Sequence, residues 1–143
     1  VVIAIIAILA AMLLPALAKA KGDCEDFTIA KYFTLLDAGI SNDEMRLIYV
    51  KARIGGPASS VTQAHMVLAF YSSPEAEPLI LDNLITEIRP ASRRPDLQPV
   101  FSFNSQGIWA NPNASGVPSA TGVGRLTRWQ DLLKRAKAEG FEF

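Results

Sequence analysis

The chain holds a single cysteine, Cys24, and a single histidine, His65. Cys24 lies in the acidic run Gly22-Asp23-Cys24-Glu25-Asp26, His65 stands near the head of an apolar run, and Asp82 closes the next one, Leu79-Ile80-Leu81. The order Cys…His…Asp is that of a thiol-nucleophile triad. A thiol attacks a carbonyl, an imidazole takes its proton, and a carboxylate fixes the imidazole tautomer. A lone cysteine forms no disulfide within the chain, and with one histidine a Cys/His zinc site is disfavoured.

Taken singly, each of these residues has an ordinary explanation. A lone cysteine commonly packs as a small hydrophobe, a lone histidine as a satisfied core or surface residue, and an Asp before Asn as a turn former. Their order, and the elements they fall on, are what select nucleophile chemistry. A helix N-terminus favours a thiolate at Cys24. Asp23, Glu25 and Asp26 support that helix terminus too, yet three carboxylates beside Cys24 oppose thiolate formation. A bound divalent cation would remove the conflict, and hard oxygen donors favour Ca²⁺. No EF-hand loop is present.

These residues need elements to position them. Asp23 can cap a helix from Cys24 to Ala38, apolar nearly all round, with Gly39 as its stop. Arg46–Arg53 and Ala64–Tyr71 alternate as strands, with a loop from Gly55 to Ser60 between them. In the second strand His65 shares a face with Val67, Ala69 and Tyr71, and the nucleophile helix is expected on that face. Leu79–Asp82 reads as a third strand, and the short connections favour antiparallel neighbours. Arg89–Pro99 carries prolines and charges and reads as an irregular surface excursion. Val100–Phe103 and Ile108–Ala110 form a hairpin around Asn104–Gly107. Asn111–Gly124 is a loop rich in Gly, Pro, Ser and Asn. Thr127-x-x-Gln130 opens a last helix with Trp129, Leu132, Leu133 and Ala136 inward and Gly140 after it.

At 143 residues the chain can bury a core, and 14 basic residues balance 14 acidic ones, so no charge excess draws it to nucleic acid. Half of the chain is apolar, slightly above ordinary globular usage, and the excess is concentrated in Val1–Ala18, which has no charged or polar side chain and is followed by Lys19 and Lys21. As a helix this segment extends roughly 27 Å, close to a bilayer core of about 30 Å. It is similar to the N-terminal helix of type IV pilins and pseudopilins, without their acidic residue near the mature terminus. Ala16-Leu17-Ala18 also has the form of a signal-peptidase site, and a buried core helix ending near Pro15 is the remaining reading. The expectation is a membrane or export segment over residues 1–21 and a folded domain over 22–143.

That domain resembles the bacterial transglutaminase-like cysteine proteinases, the LapG-type periplasmic proteases. The likeness is carried by Gly22-Asp23-Cys24-Glu25-Asp26-Phe27, Ile29-Ala30-Lys31-Tyr32-Phe33, Gln63-Ala64-His65-Met66-Val67-Leu68 and Leu81-Asp82-Asn83. Ile88–Leu97 and Phe101-Ser102-Phe103-Asn104 extend it. The resemblance implies an α+β, papain-like core with a nucleophile helix packed on an antiparallel sheet. It implies a Cys24–His65–Asp82 triad, and Ca²⁺ held by Asp23, Glu25 and Asp26. It also implies a cell-surface adhesin as substrate and a membrane-bound cyclic-di-GMP receptor as regulator, in the periplasm at the inner membrane. Family members carry a helical segment before Gly-Asp-Cys, where the pilin-like helix abuts it here; a fusion, a truncation or a chimera is expected. The competing readings are transglutaminase-type acyl transfer on the same triad, or a membrane-anchored binding protein on a remnant protease fold.

Overall fold

The computed structural model describes residues 24–109 and 127–141, with residues 24–26 and 127–128 entering through their backbone alone. The apolar opening Val1–Ala18, the capping Asp23 and the Asn111–Gly124 loop lie outside the described residues. Among the described residues no helix is long and apolar enough to cross a membrane.

Helix α1 spans Cys24–Asp37. It stops where the sequence places its stop. Gly39 takes a φ of +99°, a region that a residue without Cβ enters freely. Its N–H bonds Leu36 O, and the Ile40 N–H bonds Leu35 O, both at 3.0 Å. These two bonds close the helix end in a Schellman motif, and the burial of Ile40 beside Leu35 supplies the apolar contact that accompanies it. A 3₁₀ turn, Asn42–Glu44, follows, with Ser41 and Glu44 forming a reciprocal capping box.

Six antiparallel strands make one sheet: β1 Met45–Arg53, β2 Thr62–Phe70, β3 Leu79–Leu81, β4 Arg89–Pro90, β5 Leu97–Phe103 and β6 Ile108–Trp109. Their order is β4-β3-β2-β1-β5-β6, so the two longest strands are central. Helix α2, Thr127–Ala138, follows. The class is α+β, with the helix that begins at Cys24 packed on an antiparallel sheet.

The alternation of side chains across β1 and β2 separates two apolar layers. Leu47, Met66, Leu68 and Phe70 pack with Tyr32 and Leu35 of α1 and with Trp129 and Leu133 of α2. Ile48, Val50, Val67 and Ala69 face the other way, toward Ile80, Ala91 and Leu97. Here the structure departs from expectation. The alternation sets His65 with Val67 and Ala69, but α1 lies on the opposite face, where Met66, Leu68 and Phe70 offer the larger apolar area to bury. Nor is α1 covered all round: Thr28, Lys31, Tyr32 and Leu35 are buried, while Ala30 and Asp37 are exposed.

The Arg89–Pro99 segment is also more ordered than its prolines suggest. Arg89 and Pro90 pair with β3, Ala91–Arg93 make a 3₁₀ turn, and β5 already runs from Leu97. Pro99 is accommodated beside a register shift between Tyr49 and Val50, at a stretch of β5 that β6 does not reach. The closing helix matches its pattern. Trp129, Leu133 and Ala136 are buried, and the Trp129 indole N–H donates to Asn104 O at 3.1 Å.

Candidate active site

His65 and Asp82 arrive together because β2 and β3 are antiparallel neighbours, Leu68 pairing with Leu81. His65 Nε2 lies 2.6 Å from Asp82 Oδ1, with the residues 4% and 3% exposed. The same carboxylate oxygen accepts the Leu84 backbone N–H at 3.0 Å, an Asx-type turn that holds the side chain in place. The other oxygen accepts from Arg94 Nη2 at 2.7 Å, and Arg94 in turn pairs with Asp96 at 3.0 Å.

Burial pushes the Asp82 carboxyl up, but hydrogen bonds from His65, the Leu84 N–H and Arg94 outweigh it and hold the group down at about 2. Asp82 is therefore a carboxylate at neutral pH, and an acceptor only. The Nε2 nitrogen must then carry the proton it shares with Asp82. The His65 nitrogen left to act as a base is Nδ1.

Cys24 begins α1; its side chain, and those of Glu25 and Asp26, lie outside the described residues, as does Asp23. One turn on, Thr28 Oγ1 donates to Met66 O at 3.1 Å, tying the helix to the residue after His65. That carbonyl is reachable because β3 pairs only with Leu68–Phe70. Among the described residues, the N-terminal half of β2 is an open sheet edge, and the first turns of α1 lie against it.

Sequence reasoning overlooked three members of this cluster. Arg94 is 2% exposed, and nothing local distinguishes it from Arg93 beside it. Lys31 donates to Asn83 Oδ1 from the buried side of α1. Thr28 shares that side. A signal existed for the last two: polar residues four and seven positions after Cys24, on the same face of an otherwise apolar helix. On the face of the sheet away from α1, a cavity of about 460 Å³ is lined by Ile48, Val50, Val67, Ile80, Arg94 and Leu97 among others. Among the described residues no three His, Cys, Asp or Glu side chains converge as a metal cluster.

The sequence model of the bacterial transglutaminase-like cysteine proteinases matches residues 14–97. Calcium-bound LapG of Legionella pneumophila is 46% identical to this chain, covers 82% of it and superposes with a TM-score of 0.68. EGTA-treated LapG of the same organism gives 45% identity, the same coverage and a TM-score of 0.67. In each case the match spans 59% of the LapG chain. Comparison with curated protein sequences finds no match. A family model over more than half of the chain, and this identity over most of it, establish that the chain belongs to the bacterial transglutaminase-like cysteine proteinase family.

Proposed function

We propose that the protein is a cysteine endopeptidase in which Cys24 is the nucleophile, His65 the base and Asp82 the residue that orients His65. The observation that carries this reading is the buried 2.6 Å His65–Asp82 pair, which leaves Nδ1 of the imidazole as the proton acceptor. The thiol proton passes to Nδ1 as sulfur attacks the scissile carbonyl. The imidazolium then protonates the departing amine, and a thioester remains on Cys24. Water, deprotonated by His65, hydrolyses it and regenerates the thiol. Arg94 has no part in proton transfer; it keeps Asp82 ionised and in place.

Asp23, Glu25 and Asp26 would hold Ca²⁺. The donor set fits that ion in kind, since all three are hard oxygen ligands within four successive residues of the sequence. When bound, the ion would offset negative charge beside the thiol. The calcium-bound form of LapG supports calcium as the ion. The family resemblance further supports a cell-surface adhesin as substrate, a membrane-bound cyclic-di-GMP receptor as regulator, and a periplasmic location with residues 1–18 as anchor.

The reading is tested on the whole chain with a surface-exposed adhesin fragment as substrate, the products being resolved by mass spectrometry. Two fragments are expected. Cys24→Ala and His65→Ala abolish them, and Asp82→Asn lowers the rate by about 10²-fold or more. Calcium chelation should lower both the melting temperature and the rate, as loss of a ligand bound only by the native state does. Cleavage that survives Cys24→Ala rejects the assignment. A crosslinked or deamidated product in place of two fragments replaces hydrolysis with acyl transfer.

A further inference from the structure

Lys31 is 1% exposed, on the side of α1 that faces the sheet. It stands seven residues after Cys24, so two helical turns return it to the same face, about 10 Å along the axis. Its Nζ donates to the side-chain oxygen of Asn83, and Asn83 directly follows Asp82. Burying an ammonium is expensive, and an apolar side chain of similar length fills such a slot more cheaply. Packing therefore does not explain a lysine here.

We propose that Lys31 is a positioning residue that clamps the Asp82–Asn83 turn to the helix beginning at Cys24, setting the separation of the nucleophile from the His65–Asp82 pair. The inference rests on the cysteine-peptidase reading and extends it to how the two halves of the site are held in register. Tyr32 and Leu35 pack α1 on the sheet without direction, since apolar contact fixes area rather than register. Two polar ties supply what packing lacks. Thr28 reaches Met66 O on β2, and Lys31 reaches past the end of β3. A helix held at two points three residues apart can neither slide nor roll against the strands that carry His65 and Asp82.

The charged and titratable groups around Lys31 are few. Asp82 at the end of β3 faces it electrostatically. His65 of β2 and Arg94 from the segment before β5 reach it through Asp82. The other buried residues of the α1 stripe, Thr28, Tyr32 and Leu35, bring no charge at neutral pH. Burial pushes the Lys31 ammonium down to about 8, with Asp82 pulling the other way. The clamp is thus a cation at neutral pH and loses its charge in mildly alkaline solution.

The test is the rate of Cys24 alkylation by iodoacetamide in the full chain, followed from about pH 5 to about pH 9. A thiolate paired with an imidazolium reacts on the acid side of this range, where a free thiol does not. Wild-type protein should show such a limb, lost in His65→Ala. Lys31→Met and Asn83→Ala should each lower the limb about tenfold or more, and Lys31→Arg should restore part of it. Asn83→Ala removes the clamp without touching the helix, which guards against a folding defect in Lys31→Met. If both variants keep the wild-type limb while His65→Ala loses it, the clamp is refuted and the peptidase reading stands. A wild-type profile indifferent to His65 overturns both.

Discussion

Two buried ions, Asp82 and Lys31, both make stability rise with pH, in separate windows and with opposite worth at neutral pH. Asp82 is held at about 2, below the ordinary 3.8. Its ionised form is favoured by folding, so its contribution is complete above the unfolded value and is lost as pH falls through the folded one. The window from 3.8 to about 2 corresponds to roughly 2 kcal/mol. The difference in urea-unfolding free energy between wild type and Asp82→Asn should be flat above about pH 4 and shrink by that amount below it. The Lys31 shift is also downward, from 10.5 to about 8, but for a cation that means its burial costs stability at neutral pH. Between those values the unfolded chain binds the extra proton, so stability rises with pH, by up to roughly 3 kcal/mol. Peptidase activity should fall over the same interval as the clamp discharges. Lys31→Met should be more stable than wild type at neutral pH and should lack the alkaline rise. Activity and stability that climb together in wild type would contradict the clamp.

Among the elements, what is local is legible and what is tertiary is not. The end of α1 could be read from Gly39 alone, because a left-handed φ of +99° suits no other residue as well. Gly39→Ala meets no steric obstacle, so its effect isolates the backbone term. A loss of about 1 kcal/mol in thermal unfolding is expected, with the site unaffected. The strands β1 and β2 and the inward stripe of α2 follow from periodicity in the same way. The face on which α1 docks did not follow. Alternation says which residues of β2 share a face, but not which face a helix will cover; that is decided by Met66, Leu68 and Phe70 against Val67 and Ala69. The Val100–Phe103 half of β5 and its hairpin with β6 were legible, but the Leu97–Pro99 half was hidden behind Pro90, Pro95 and Pro99, its pairing with β1 being tolerated only through a register shift visible in three dimensions. The histidine was legible as the chain's only one, and the aspartate as the residue closing the next strand. Lys31 and Arg94 were not, because lysine and arginine are ordinarily surface residues and only their partners mark them as buried.

The whole molecule is a sheet with unequal sides. The α1 side is filled by rings: Trp129 meets Tyr32, Phe33 and Phe103 at centroid distances of 5.5, 6.0 and 5.2 Å. The other side keeps the cavity lined by Ile48, Val67 and Arg94. Truncations on the two sides should differ accordingly. Leu68→Ala should lose about 3 kcal/mol or more, and Val67→Ala about 1–2, as read from denaturant midpoints at constant slope. Equal losses would mean that the cavity side is as tightly packed as the helix side. The sheet order also sets a sequence of events in time. Strands β1, β2 and β3 are successive along the chain, so the pairing that brings His65 to Asp82 closes only short loops. Strand β5 joins β1 across everything between them, Tyr49 meeting Phe101 and Leu47 meeting Phe103; Arg94 need not wait for it, being 12 residues from Asp82 and just beyond the β3–β4 pairing. Loop closure makes that step the slower one. During folding, then, Asp82 gathers both partners, the histidine 17 residues before it and the arginine 12 after it, from near-local pairings, and the slow step closes the sheet around a carboxylate already paired.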